Sequence, residues 1–109
     1  MKKVYLFCSA GMSTSLLVSK MQGVADSHNL PIEIQAFPES KAKTLLHKDK
    51  PDCVLLGPQV KYLLKKMKEE CEQLGIPCEI IDPATYGIMD GEKVLKQAIR
   101  MIKSKKEVY

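Results

Sequence analysis

Apolar and polar positions fall into short blocks along the chain, and the period of the pattern switches from block to block. Residues 4–7 (Val-Tyr-Leu-Phe) form an apolar run of strand formers that stops at Cys8. From 13 to 29 the apolar positions step by three and four. Leu17, Met21, Val24 and His28 share one line there, so a helix is expected with Ser13 as its N-cap and Pro31 beyond its end. Ile32, Ile34 and Ala36 alternate with Glu33 and Gln35, a second strand that Phe37-Pro38 closes. Residues 39–47 read as a short helix with Ala42, Leu45 and Leu46 inward, followed by a turn-rich linker to Pro51. The run 53–56 (Cys-Val-Leu-Leu) is apolar throughout, which suits a strand buried on both faces. Gly57-Pro58 breaks it and opens a third helix, whose stripe of Val60, Leu63, Leu64, Met67, Cys71 and Leu74 is the clearest periodic signal in the chain. Gly75 is its expected C-cap. Residues 79–81 make a fourth strand, ended by Asp82-Pro83, and 84–89 read as a loop or single turn around Tyr86. Asp90 then caps a last helix with Val94, Leu95, Ala98, Met101 and Ile102 inward.

Strand and helix alternate four times with short links. That order predicts an α/β fold in three layers: an open four-stranded parallel sheet with helices on both faces. Ligands of such sheets bind outside the carboxyl ends of the strands, where strand order reverses. Four loops should gather there: 8–15, Pro38-Glu39, Gly57-Pro58-Gln59 and Asp82-Pro83.

Composition narrows the class. At 109 residues the chain is expected to form one domain, 1–109. Hydrophobic residues make up 45% and charged residues 28%, which argues against disorder. No apolar run approaches the ~20 residues that span a bilayer, and the stretch after Met1-Lys2-Lys3 is too short for a signal-peptide core, so a cytoplasmic protein is expected. The net charge of +4 is mild and lacks a basic-aromatic block, which disfavours nucleic acid. Cys8, Cys53, Cys71 and Cys78 form no C-x-x-C pair and no zinc spacing, so free thiols and no metal are expected.

The candidate chemistry lies at the first strand end. A cysteine that ends an apolar strand is usually core, and that reading holds for Cys53, Cys71 and Cys78. After Cys8, however, come Ser9, Ala10, Gly11, Met12, Ser13, Thr14 and Ser15, the composition of a tight anion-binding loop leading into a helix. The free N–H groups and positive dipole end of that helix favour an anion, and favour a thiolate over a thiol. A nucleophile beside an anion cradle suggests thiolate chemistry on a phosphoryl group. No G-x-G-x-x-G is present, and the loop lacks the lysine of a Walker motif, so no nucleotide is expected. Pro38, Gln59, Asp82 and Tyr86 are candidate rim residues. Asp82 is read first as a cap for the next turn, and Tyr86 first as loop packing.

Fold and loop resemble low-molecular-weight tyrosine phosphatases, of flavodoxin-like architecture. Those enzymes place an arginine six positions after the cysteine and use a later aspartate as general acid. Here position 14 is threonine and the only arginine is Arg100, although Asp82-Pro83 echoes the acid. Loss of a charged transition-state donor commonly costs ~10²–10³ in rate, which handicaps a hydrolase and suits a carrier. Residues 5–21 (Tyr-Leu-Phe-Cys-Ser-Ala-Gly-Met-Ser-Thr-Ser-Leu-Leu-Val-Ser-Lys-Met), with Ala36-Phe37-Pro38-Glu39, 54–60, Ile81-Asp82, Tyr86-Gly87 and Asp90-Gly91, are similar to the IIB component of the phosphoenolpyruvate-dependent sugar phosphotransferase system, of the cellobiose, chitobiose and lactose type. The resemblance implies a phosphotransferase without cofactor, and a monomer is expected. Cys8 would accept a phosphoryl group from a phosphohistidine of IIA and pass it to a sugar held by the membrane permease IIC, cellobiose or another β-glucoside. A hydrolase or arsenate-reductase-like enzyme on the same scaffold, and a binding module with Cys8 buried, are the alternatives.

Overall fold

The structure of the protein, a computed structural model, describes residues 1–9 and 12–107. Its strands are β1 (Lys2–Cys8), β2 (Ile32–Pro38), β3 (Cys53–Leu56) and β4 (Cys78–Ile80), and its helices α1 (Met12–Ser27), α2 (Ala42–Asp49), α3 (Leu64–Gln73), α4 (Pro83–Gly87) and α5 (Gly91–Glu107). All strand pairs are parallel and the order across the sheet is β2-β1-β3-β4. The chain therefore runs outward from β1 to β2, then crosses back to lay β3 on the other side of β1. That reversal lies between the carboxyl ends of β1 and β3, where Cys8 and Gly57 stand.

Alternation along the strands explains the three layers. Val4 and Leu6 join Ile32, Ile34, Cys53 and Leu55 beneath α1 and α5, whose Leu17, Met21, Val94, Leu95 and Ala98 complete that core. Tyr5 and Phe7 point to the other face with Val54 and Leu56, against Ala42 and Leu46 of α2 and Met67 and Cys71 of α3. A strand with both sets of side chains buried must read as an unbroken apolar run, which is why residues 4–7 and 53–56 carry no polar residue. The Tyr5 hydroxyl, which would be an orphan donor in such a core, reaches out to Asp49 Oδ2 at 2.6 Å.

Several local expectations need correction. α1 begins at Met12, so Ser13 lies in the first turn and does not cap it from outside. The helix ends at Ser27, which leaves His28 exposed in the turn; the inward line is Thr14, Leu17, Met21 and Ala25, with Val24 half-buried. The segment 39–47 enters as a 3-10 turn, Glu39–Lys41, before α2, and α2 runs on through the first half of the expected linker. The third helix is two pieces. A 3-10 turn, Pro58–Leu63, is interrupted at Val60 (φ −115°, ψ 29°) before α3 starts, because Pro58 fixes the entry and Val60 must turn into the core. β4 begins one residue early, at Cys78. Gly75, at φ 71°, closes α3 as expected: its N–H bonds Glu72 O, and that of Ile76 bonds Cys71 O.

Burial pushes the Cys53 thiol far above its ordinary range, with the Glu79 and Asp52 carboxylates adding to it. A hydrogen bond with Cys71, then burial, does the same to Cys78. Burial and the bond to Asp49 raise Tyr5. Unfolding frees these groups to lose protons near their usual values, about 8.5 for cysteine and about 10 for tyrosine, while the folded chain keeps them. The folded state thus binds more protons in alkali. Stability is full below about pH 8.5 and should fall as pH rises beyond it, by about 1.4 kcal/mol per pH unit for the Cys53 thiol; the bond that raises Cys78 lowers Cys71, so that pair adds less than two raised thiols would. Urea unfolding at stepped pH measures this, and a flat profile up to about pH 10 would contradict it.

Candidate active site around Cys8

Cys8 is the last residue of β1 and pairs in register with Pro38, the last residue of β2. On its other side Gly57 follows β3, its N–H bonded to Phe7 O at 2.9 Å. Cys8 is only 4% exposed, yet it lines neither apolar core, whereas Cys53 belongs to one core and Cys71 and Cys78 to the other. α1 starts four residues beyond it, so the unpaired N–H groups of a sixteen-residue helix stand within one short loop of the sulfur.

Three side chains from three segments meet at this end of the sheet. Thr14 Oγ1, in the first turn of α1, lies 3.0 Å from the Tyr86 hydroxyl. Gln59 Nε2, in the turn after β3, donates to the same hydroxyl at 2.7 Å. Thr14 is buried at 2% exposure, so its hydroxyl depends on protein partners. The other end of the Gln59 amide lies over Gly57. A Cβ on Gly57 would fall 2.6 Å from Gln59 Oε1 and 3.3 Å from Cys8 Cβ, so these three residues pack with no room for a methyl group.

The remaining sequence candidates are placed as follows. Ser9 and Ser15 are exposed on either side of the loop. Ala10 and Gly11 lie outside the described residues, and of Met12 and Ser13 only the backbone is described. Asp82 is exposed and caps α4, accepting from Ala84 N at 2.9 Å. It also lines a shallow depression with Thr85, Lys93, Gln97 and Arg100, and no described hydrogen bond ties it to Cys8 or Thr14. Tyr86 is not merely loop packing: its ring is in the α1–α5 core while its hydroxyl joins Thr14 and Gln59. The segment 84–89 resolves into α4 and a turn at Met89, which Asp82 and Pro83 initiate. Among the described residues no group of three His, Cys, Asp or Glu side chains could hold a metal ion.

Sequence reasoning missed three exposed apolar side chains in the segments that follow the strands. Leu16 in α1, Tyr62 after β3 and Ile88 after α4 are each more than half exposed and each follows the carboxyl end of a strand. A helical wheel assigns Leu16 to the flank of its stripe, but nothing in the pattern marks Tyr62 or Ile88.

Cys53 and Cys71 are fully buried, but exposure does not separate Cys78, at 7%, from Cys8. Environment does, because a hydrogen bond with Cys71, then burial, holds Cys78 as a thiol, and the thiolate is the nucleophile. Limited alkylation with iodoacetamide, read by peptide mass spectrometry, should therefore label Cys8 ahead of the other three. Equal labelling of Cys78 would overturn that order.

Comparison with known proteins agrees with this fold. A family model described as "PTS system, Lactose/Cellobiose specific IIB subunit" matches residues 3–97. The oligo-beta-mannoside-specific EIIB component of Bacillus subtilis is 44% identical over 102 residues, covering 94% of this chain and 97% of that protein. The cellobiose-specific EIIB component of Lactococcus lactis subsp. lactis is 42% identical over 100 residues, covering 89% and 93%. The solution structure of a cellobiose-specific IIB component from Borrelia burgdorferi superposes with a TM-score of 0.78 at 40% identity, over 95% of this chain and 94% of that one.

Proposed function

The chain belongs to the lactose/cellobiose-specific IIB family of the sugar phosphotransferase system, whose members are phosphotransferases, and from that premise we propose that Cys8 is its phosphoryl carrier. The observation that carries the proposal is the position of Cys8: at the switch point of the sheet, outside both cores, one loop from the start of α1. The thiolate attacks the phosphorus of a phosphohistidine on IIA in line. The S–P bond forms as the P–N bond breaks, and the imidazole leaves with the bonding pair and takes a proton. Backbone N–H groups of the loop 9–15 and the hydroxyls of Ser13, Thr14 and Ser15 share the charge of the phosphoryl oxygens. A hydroxyl oxygen of the sugar held by membrane IIC then forms an O–P bond as the S–P bond breaks; the thiolate leaves with the bonding pair and the hydroxyl proton is released. The chain has threonine at the place of the phosphatase arginine, and this slows attack by water and preserves the intermediate.

IIA and IIC dock in turn on the edge that carries Cys8, with Pro38 and Gln59 in the rim and Leu16, Tyr62 and Ile88 as apolar contacts. The protein works in the cytoplasm as a monomer and meets the inner face of the membrane through IIC. No helix among the described residues is long and apolar enough to cross a membrane. Relatives are named for oligo-beta-mannoside, for cellobiose and, at the same 42% identity, for galactose; among these cellobiose, a β-glucoside, is the specific proposal.

Incubation with phosphorylated IIA, followed by intact-mass spectrometry, tests the reading. A phosphoryl adduct on Cys8 that persists until IIC membranes and sugar are added supports it. Rapid release of phosphate from an aryl phosphate, with no lasting adduct, would replace it with a hydrolase.

A further inference from the structure

We propose that the Tyr86 hydroxyl is a positioning group for the Cys8 site, holding Thr14 and Gln59 in the orientation that phosphoryl binding requires. This deepens the carrier reading and rests on its anion site.

Three segments far apart in sequence converge on one oxygen: Thr14 in α1, Gln59 after β3 and Tyr86 in α4. The ring of Tyr86 is anchored among core residues of α1 and α5, so its oxygen is a fixed point. Gln59 belongs to an exposed residue position, and a long polar side chain there would ordinarily sample solvent. The bond to Tyr86 keeps its amide turned inward, with Oε1 over Gly57, and Gly57 in turn lies against Cys8 Cβ. On the other side the same oxygen fixes the Thr14 hydroxyl in the first turn of α1, the turn whose N–H groups meet the anion. One phenolic oxygen thus ties Thr14, at the start of α1, to Gln59, which lies over Gly57 beside Cys8. Loss of it would leave the fold intact and loosen the cradle, because a ring that stays packed needs no hydroxyl to do so.

Tyr86→Phe tests this by removing only the oxygen. The readout independent of any partner is protection of Cys8 from iodoacetamide by inorganic phosphate, measured by mass. The half-protecting phosphate concentration should rise about three- to tenfold over wild type, the range one neutral hydrogen bond spans. With phosphorylated IIA, the maximal rate of Cys8 phosphorylation should fall by a similar factor while the half-saturating IIA concentration stays unchanged. In the phosphate-protection measurement Gln59→Leu should reproduce the effect, and Tyr86→Phe added to Gln59→Leu should contribute less than it does alone, since the groups act as one unit. Unchanged phosphate protection in Tyr86→Phe overturns the proposal. So does an effect confined to the half-saturating IIA concentration, which would make Tyr86 a docking contact, and so does a wild-type Cys8 that phosphate does not protect. If wild type takes no phosphoryl group from IIA, the carrier reading falls, and the phosphate-protection arm still decides the role of Tyr86.

Discussion

Cys8→Ser should abolish phosphoryl transfer from IIA, with no adduct detectable and a loss exceeding about 10³-fold, equivalent to roughly 4 kcal/mol of transition-state stabilisation. The change replaces one atom and leaves the end of β1 packed against Pro38 and Gly57, so the fold should survive it. Chemistry should not. A thiolate is accessible near neutral pH and is intrinsically nucleophilic, whereas a serine hydroxyl needs an adjacent base. Among the described residues no hydrogen bond joins a His or carboxylate to Thr14, Gln59 or Cys8: His28 is exposed in the turn after α1, and His47 pairs with Glu70 at 3.3 Å on the α2–α3 side. Single replacements of Cys53, Cys71 or Cys78 by alanine should keep the adduct, since those sulfurs lie inside the cores. Intact-mass measurement of each variant after incubation with phosphorylated IIA decides the matter. A wild-type level of adduct in Cys8→Ser, or its loss in one of the other three variants instead, would move the acceptor elsewhere.

Where the sequence was legible, one physical rule governed each position. The sheet strands were plain because a parallel strand buried on both faces tolerates no polar residue, and residues 4–7 and 53–56 obey that without exception. Gly75 was legible because only glycine takes a left-handed conformation at little cost. Cys8 stood out through the contrast between its strand and the small polar loop after it. What stayed hidden depended on tertiary contact. The inward line of α1 agrees at Leu17 and Met21 and departs at its ends, where Ala25 replaces Val24 and the buried residue of the first turn is Thr14, a polar side chain that apolar periodicity does not mark. Its burial is affordable through Tyr86, 72 residues away, and no local pattern encodes such a pairing. Gln59 and Tyr86 read as a turn residue and a loop aromatic for the same reason. The 3-10 turn at Pro58–Leu63 escaped because its apolar residues continue the stripe of α3 in spacing, though not in backbone geometry.

Leu6→Ala should cost about 2–5 kcal/mol of stability, a large share of the roughly 5–15 kcal/mol typical of a small domain. Leu6 is fully buried, paired in register with Ala36 on one side and Leu55 on the other, in the core beneath α1 and α5. Neighbouring strands fix the backbone on both sides of it, so the site cannot collapse to refill the lost volume, and the cavity adds to the lost transfer energy. With a urea slope of about 1–3 kcal/mol per molar, the unfolding midpoint should drop by roughly 1–3 M at an unchanged slope. Leu16→Ala supplies the internal control. The same side chain, ten positions later, is 52% exposed, and its removal should shift stability by no more than about 0.5 kcal/mol. If Leu16 also serves the docking edge, its variant should raise the half-saturating concentration of IIA while leaving the melt alone. Leu6→Ala should show the reverse, a weakened fold that still takes up phosphoryl groups at low temperature. A loss below about 1 kcal/mol for Leu6→Ala would mean that β1 is not sandwiched between two packed layers, and the sheet end that presents Cys8 would then lack the rigid support on which the site depends.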